Sequence, residues 1–177
     1  MKPYACGFLI PLFMLISAFS NTPIIPNVDL QTEADFRLYQ EDAFLILDWL
    51  MDEPISYGNK QRTKANLFLM DWVNGAPYIS VKPHSALLQY TYENPAFLPI
   101  FMGAAARHQV NHPDDHKFID ASVAGINAIL RVYQADRGTI IQSEKINQLI
   151  RLQKNGELRA WAEDIWKSMN GQKINPL

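Results

Sequence analysis

The chain has 177 residues, a formal net charge of −2 and a single cysteine. This length fits one domain that can bury its own core. A net charge near zero argues against a nucleic-acid partner, because phosphate backbones are bound by an excess of Lys and Arg. The lone cysteine, Cys6, excludes a disulfide within the chain.

The first twenty residues have the features of a signal peptide. Lys2 precedes the apolar run Phe8–Phe19, and Ala18 and Ser20 occupy the small-residue positions that signal peptidase reads. The run holds about 12 residues, whereas a membrane span needs about 20. We therefore predict a signal peptide over residues 1–20 and an exported protein, periplasmic or extracellular. With the signal removed, the mature chain would contain no thiol and no membrane span.

The next segment predicts an extended arm followed by two helices. Residues 21–31 contain two prolines and no periodic pattern, which is typical of an extended N-terminal arm. A helix is predicted over residues 32–51, because Thr32 and Asp35 approximate a capping box. A second helix is predicted from about Lys60 to Asn74, before Gly75 and Pro77.

These two helices share a short sequence pattern at their ends. Leu47-Asp48-Trp49-Leu50 is followed by Pro54, and Met70-Asp71-Trp72-Val73 is followed by Pro77. The pattern occurs only twice, so it does not indicate a repeat protein. It predicts two helices that end alike, each with a tryptophan on its core side.

The middle of the chain predicts three further helices and at most one short extended segment. Residues 78–81 are β-prone but too few to form an independent strand, so we expect a connector that crosses the helices. Helices are predicted over residues 84–93, 95–111 and 114–136. Asn94 is expected to be the N-cap of the second of these.

Small residues recur inside the fourth and fifth predicted helices, at Gly103–Ala106 and Ala121–Gly125. A glycine in a helix costs about 1 kcal/mol relative to alanine, and close helix packing is one reason to accept that cost. The short connection at His112-Pro113-Asp114 favours neighbouring helices. We therefore predict that the fourth and fifth helices are direct, closely packed neighbours.

Two helices complete the predicted domain. Ser143 is expected to begin a helix that ends before Asn155-Gly156, and a last helix is predicted over residues 157–169. Residues 32–177 together predict a single all-α domain of about six to seven helices.

Charge is unevenly distributed along the chain. Residues 21–58 carry eight acidic residues and one basic residue, whereas residues 139–177 carry six basic and four acidic residues. This difference favours an arrangement in which the first and last helices lie side by side and complement each other. The alternative is an acidic surface for a basic partner.

The histidines His108, His112 and His116 form the one cluster that could carry chemistry. They are spaced four residues apart, and imidazoles at i and i+4 on one helix face can chelate zinc. Residues 108–112 read His-Gln-Val-Asn-His rather than HExxH, and Pro113 interrupts the helix before His116. The cluster is therefore either a zinc site or a set of exposed loop histidines.

The aromatic residues offer a second candidate site. Trp161 and Trp166 are five residues apart and point about 140° away from each other on an ideal helix. Aromatic residues at helical spacing are typical of a core, but this geometry predicts that at least one ring is partly exposed. We therefore consider Trp161 and Trp166 a candidate contact surface.

Three segments, Leu69–Arg107, Phe118–Tyr133 and Ile146–Leu158, together resemble small secreted helical proteins of the Bacteroidetes type. The resemblance extends over most of the mature chain. It implies an all-helical fold and export, and it implies no catalytic residue.

No motif in the sequence names a reaction. The chain contains neither a G-x-S-x-G elbow nor a Gly-rich phosphate loop, so we assign no catalytic and no cofactor-binding residue. The favoured hypothesis is a non-enzymatic binding or interaction module for a protein or small ligand. One alternative is a metal-dependent enzyme or metal carrier that uses His108, His112 and His116. The other is an assembly factor whose apolar surface is covered by a partner.

Overall fold

The computed structural model describes residues 22–81, 85–113, 118–135 and 138–171, and within them the chain is helical, without a strand. The predicted signal peptide, with Cys6, lies outside these ranges. Eight helices are described: α1 (Glu33–Leu38), α2 (Gln40–Asp52), α3 (Lys60–Gly75), α4 (Ser85–Tyr92), α5 (Phe97–Asn111), α6 (Phe118–Ala135), α7 (Glu144–Lys154) and α8 (Leu158–Gly171). The all-α prediction is confirmed.

The described helices number eight rather than six to seven because the first predicted helix is divided. Its capping box is present: the Asp35 N–H donates to Thr32 Oγ1 (3.3 Å), and the Thr32 N–H donates to the Asp35 carboxylate (2.8 Å). The hydrogen bond from the Thr32 backbone lowers the pKa of Asp35. One turn later, Tyr39 leaves the helical region (φ −96°, ψ 12°) and separates α1 from α2.

The predicted likeness between the ends of the second and third helices is present in the structure. The N–H of Glu53 donates to the carbonyl of Trp49 (2.8 Å), and the N–H of Ala76 donates to that of Trp72 (3.1 Å). Both tryptophans are buried in the core. The Trp72 indole also donates to the Phe36 carbonyl (2.8 Å), which joins α3 to α1.

A buried arginine satisfies the carboxyl end of α2. Arg62 of α3 is only 3% exposed, and its guanidinium donates to the carbonyls of Leu50 (2.8 Å) and Glu53 (3.0 Å). The Leu50 carbonyl would ordinarily accept from the residue four positions later, but that residue is Pro54, which has no N–H. The positive charge also lies at the negative end of the helix dipole.

Two side-chain amides hold the irregular segments that link the helices. Gln109 accepts from the Ser80 N–H (2.9 Å) and donates to the Ser80 carbonyl (3.0 Å), which fixes the extended connector on α5. Asn94, which is fully buried, likewise accepts from the Ile141 N–H (3.0 Å) and donates to the Ile141 carbonyl (3.2 Å). The prediction that Asn94 is an N-cap was wrong, because its carboxamide pairs with the distant backbone of Ile141, while α5 starts at Phe97 after the N-cap Ala96.

Helix α5 is the centre of the fold. All its residues from Phe97 to Ala106 except Leu98 are buried, and it contacts α2, α3, α4 and α6. Its contact with α6 is the most extensive between described helices. A side chain at Gly125 of α6 would lie 2.7 Å from the Phe101 ring and 2.9 Å from the Phe101 carbonyl oxygen. Gly103 instead lies against Leu47 and Leu69, so its lack of a side chain makes room for α2 and α3.

The last two helices pack on α6 and on each other. The predicted end of α7 at Asn155-Gly156 is confirmed, since Gly156 has a φ of +74°. Its N–H donates to the Gln153 carbonyl (3.1 Å), and the Glu157 N–H donates to the Leu152 carbonyl (2.8 Å). This is a Schellman turn, in which glycine adopts the left-handed conformation at no steric cost.

The close approach at Gly125 predicts the effect of one added methyl group. We expect Gly125→Ala to lower the free energy of unfolding by about 1–2 kcal/mol, because overpacking against a backbone carbonyl outweighs the better helix propensity of alanine. Gly138→Ala is the matched control, since a side chain there would meet nothing within 4 Å. Urea denaturation of both variants measures the difference, and equal stabilities would contradict the argument.

Candidate functional site

Two of the three predicted metal ligands lie together at the end of α5. The rings of His108 and His112 stack with centroids 4.3 Å apart and planes inclined by 23°. The Nδ1 of His112 lies 2.9 Å from the His108 carbonyl, so that nitrogen carries the proton and donates. The third residue of the cluster, His116, lies outside the described residues. Within those residues, no three His, Cys, Asp or Glu side chains form a group that could hold a metal ion.

The histidine pair forms part of a surface groove of about 340 Å³, which we call the α5–α6 groove. Its apolar lining side chains are short or flexible and mostly buried, and its polar lining side chains are longer and more exposed. The residues that line it are Met51, Ala104, Arg107, His108, Asn111, His112, Ala124, Asn127, Ala128 and Arg131. The small residues of α5 and α6 therefore leave an open space beside the contact between the two helices. The polar side chains surround this space.

Two aspartates one turn apart on α2 hold the arginines of the groove. Asp48 pairs with Arg107 of α5 at 2.6 Å, and Asp52 pairs with Arg131 of α6. Both pairs are partly exposed, so each contributes at most about 1 kcal/mol to stability. Their main effect is to hold two guanidinium groups in place at the groove.

The groove wall also contains polar atoms whose hydrogen-bonding capacity is not used. The Nε2 atom of His108 is buried and has no partner among the described residues. The side-chain amide of Gln153 donates to the Asn127 Oδ1 (2.7 Å). The amide nitrogen of Asn127 remains available as a hydrogen-bond donor. A buried polar atom without a partner is costly unless a water or a ligand satisfies it. Both His108 and Asn127 line the groove.

The charge distribution predicted a different arrangement of helices. Asp48 and Asp52 belong to the acidic N-terminal part, but their ion-pair partners come from α5 and α6 rather than from α7 and α8. The basic residue Arg159 of α8 pairs with Asp120 of α6 (2.8 Å) and with Glu163 of its own helix. The expectation that the first and last helices complement each other was therefore wrong for these ion pairs.

Trp161 and Trp166 are both half-buried on α8, and each packs on another aromatic ring of the chain. Trp161 meets Tyr90 edge to face at 6.0 Å, and Trp166 stacks on Phe118 at 5.5 Å. Burial raises the pKa of Tyr90. The tryptophans thus attach α8 to α4 and α6, and their role as a contact surface stays a prediction.

A second cleft, of about 320 Å³, lies between α1, the connector and the end of α5. The Arg37 guanidinium lies 4.2 Å above the ring of Tyr78, whose buried hydroxyl has no partner among the described residues. Burial raises the pKa of Tyr78, with Arg37 opposing that shift. Among its described lining residues the cleft has one guanidinium, which contacts this ring and pairs with Glu33, whereas two guanidiniums line the α5–α6 groove.

Exposed large apolar side chains come from several separate elements. They are Ile24, Val28, Leu38, Leu45, Tyr57, Leu67, Tyr92 and Ile141. Scattered apolar side chains are ordinary on protein surfaces. The assembly-factor hypothesis stays a prediction.

The comparisons with known proteins leave the groove as the basis for any functional argument. No protein-family model, no curated protein and no solved structure matches this chain. The resemblance to small secreted helical proteins of the Bacteroidetes type thus stays a prediction. Across residues 22–81, 85–113, 118–135 and 138–171, no helix has the length and apolar character of a membrane span.

Sequence reasoning found His108 and His112 but missed Arg107, Asn127 and Arg131, which complete the groove. One signal was present: Asp48 and Asp52 stand one helical turn apart and face two helices that carry isolated arginines. Without knowing that α2 lies beside both α5 and α6, the pairs could not be matched.

Proposed function

We propose that this protein is an exported, non-enzymatic binding module that takes a small polar ligand into the α5–α6 groove. The observation that carries the proposal is a groove lined by polar side chains, among them His108, whose buried Nε2 has no partner within the described residues. Concave sites with an apolar floor and a few convergent polar groups are the usual form of small-ligand sites.

The close packing of α5 and α6 is the structural part of this proposal. We infer that Ala121 and Gly125 form the small-residue face that the sequence predicts. This face keeps α6 in close contact with α5 at one point along the two helices. Ala104, Ala124 and Ala128 then line the opening at the next level. A groove set by backbone proximity is largely formed before the ligand arrives, which reduces the ordering cost of binding.

Export rests on the signal-like N-terminus. When the full chain is expressed in a secreting cell, we expect the mature protein to begin near Asn21 and to leave the cytoplasm, because signal peptidase cleaves after small residues. Mass spectrometry of the protein from each cell fraction measures this. An uncleaved chain retained in the cytoplasm would refute export while leaving the groove unaffected.

Filling the groove tests the binding function. We expect Ala124→Phe to abolish ligand-induced chemical-shift changes at Asn111 and Asn127, because the ring would occupy the space that the ligand needs. The probes are glucose, glycine, acetate, succinate and inorganic phosphate, each titrated to millimolar concentration and followed by NMR.

Ala160→Phe is the matched control, since Ala160 is exposed on α8, away from the groove. It should bind like the unaltered protein. The proposal fails if no probe shifts these residues in the unaltered protein, or if both variants bind equally well.

A zinc site at His108 and His112 is the second candidate. It is favoured by the hydrogen bond from the His112 Nδ1 to the His108 carbonyl, since metal-binding histidines usually donate their other ring nitrogen to such an acceptor. The Nε2 of each ring would be the ligand atom. The neighbouring guanidiniums of Arg107 and Arg131 oppose a divalent cation, which is why we place this candidate second.

Zinc binding is tested by elemental analysis and thermal melting with and without chelator. If the zinc candidate holds, zinc copurifies near one ion per chain, chelation lowers Tm, and His108→Gln combined with His112→Gln removes both effects. His112→Gln alone should weaken binding less. If the purified protein contains no metal and neither zinc nor chelator changes its Tm, this candidate is ruled out.

A further inference from the structure

We infer that Asn155, at the end of α7, is a site of spontaneous deamidation in the folded protein. The inference is independent of the proposed ligand groove. It depends on the glycine that follows Asn155, on the exposure of the turn that holds both residues, and on the contrast with a second Asn-Gly pair whose backbone is held by the core.

An asparagine followed by glycine lies next to its own nucleophile. The backbone nitrogen of the glycine, once it has lost its proton to the solvent, forms a bond to the side-chain Cγ of the asparagine. The bond from Cγ to the amide nitrogen breaks, and ammonia leaves. Water then opens the resulting five-membered imide and gives aspartate or isoaspartate. Glycine favours the ring closure because it has no Cβ and moves more freely than other residues.

The chain contains three Asn-Gly pairs, which are Asn74-Gly75, Asn155-Gly156 and Asn170-Gly171. The side chain of Asn170 lies outside the described part of the chain. Asn74 and Asn155 both stand at the carboxyl end of a helix, and both are exposed, so solvent reaches both side chains. The difference between these two sites therefore lies in what holds the backbone around them.

Little holds the turn at Asn155 closed. The Gly156 N–H donates to the Gln153 carbonyl (3.1 Å), so the turn has to open before the nitrogen reaches Cγ. Lys154, Gly156 and Glu157 are exposed, and a side chain at Gly156 would meet nothing within 4 Å. The Asn155 side chain has one described hydrogen bond, to the exposed Glu157 carboxylate (3.3 Å). Helix ends of this kind open readily, because opening breaks surface hydrogen bonds and removes none of these side chains from the core.

The backbone around Asn74 is held by the core. Val73, which precedes it, and Ala76, two residues later, are both buried. A side chain at Gly75 would lie 2.4 Å from the Phe36 ring, so this ring packs directly on the glycine. Turning the Gly75 nitrogen toward the Asn74 Cγ therefore disturbs buried apolar contacts, which costs more than opening a turn at the surface.

Prolonged incubation of the folded protein at mildly alkaline pH, followed by peptide mapping with mass spectrometry, tests the inference. We expect Asn155 to convert at least tenfold faster than Asn74, as measured by the mass increase from amide to acid. In guanidinium chloride the two sites should convert at similar rates, because each asparagine then precedes glycine in an unfolded chain. Asn155→Gln should remove the fast-converting site, whereas the matched control Asn74→Gln should leave the rate at Asn155 unchanged.

Two results would overturn the assignment of Asn155. In the first, the folded protein converts Asn74 as fast as Asn155, so that the core contacts at Gly75 give no protection. In the second, Asn155 converts in guanidinium chloride but stays intact in the folded protein, so that the turn stays closed. Neither result bears on the proposed ligand groove.

Discussion

The fold depends on the contact between the backbone of α5 at Phe101 and the bare Cα of Gly125 in α6. A side chain at that position would come within 2.9 Å of the Phe101 carbonyl oxygen, which a helix cannot move without disturbing its hydrogen bonds. Because α7 and α8 pack on α6, and α2 and α3 pack on α5, this contact joins the two parts of the molecule. Gly103, which faces the flexible ends of Leu47 and Leu69, is less constrained.

Other small residues of the same two helices line the groove. Ala104 and Ala128 are buried, but their side chains end short of the surface, and the long side chains of Arg107 and Arg131 extend beyond them. The aspartates of α2 hold those arginines and Met51 of α2 also lines the groove, so three helices contribute to it. The packing of the helices and the candidate site are therefore both consequences of the way α2, α5 and α6 are arranged.

Local signals predicted most of the helices, because capping, helix-ending glycines and proline act over a few residues. The capping box at Thr32, the turn at Gly156 and the matching ends at Trp49 and Trp72 were all predictable in this way. The break at Tyr39 carries no such signal. Asn94 was misassigned because its local role as a cap and its distant pairing with Ile141 need the same side-chain atoms, and only the packed structure decides between them.

The candidate site was predictable only in part, for a related reason. A pair of histidines four residues apart on one helix can be recognised from the sequence alone. Asp48 and Arg107 are 59 positions apart and Asp52 and Arg131 are 79 apart, so these pairs cannot be recognised in that way. Counting charges in blocks along the chain assigned the acidic residues of α2 to the wrong partners, because the count ignores which helix lies beside which. The two arginines also change the chemistry expected of the histidines. Alone, an i, i+4 histidine pair suggests a cation site, whereas here the same imidazoles line a groove together with two guanidiniums, which oppose a divalent cation.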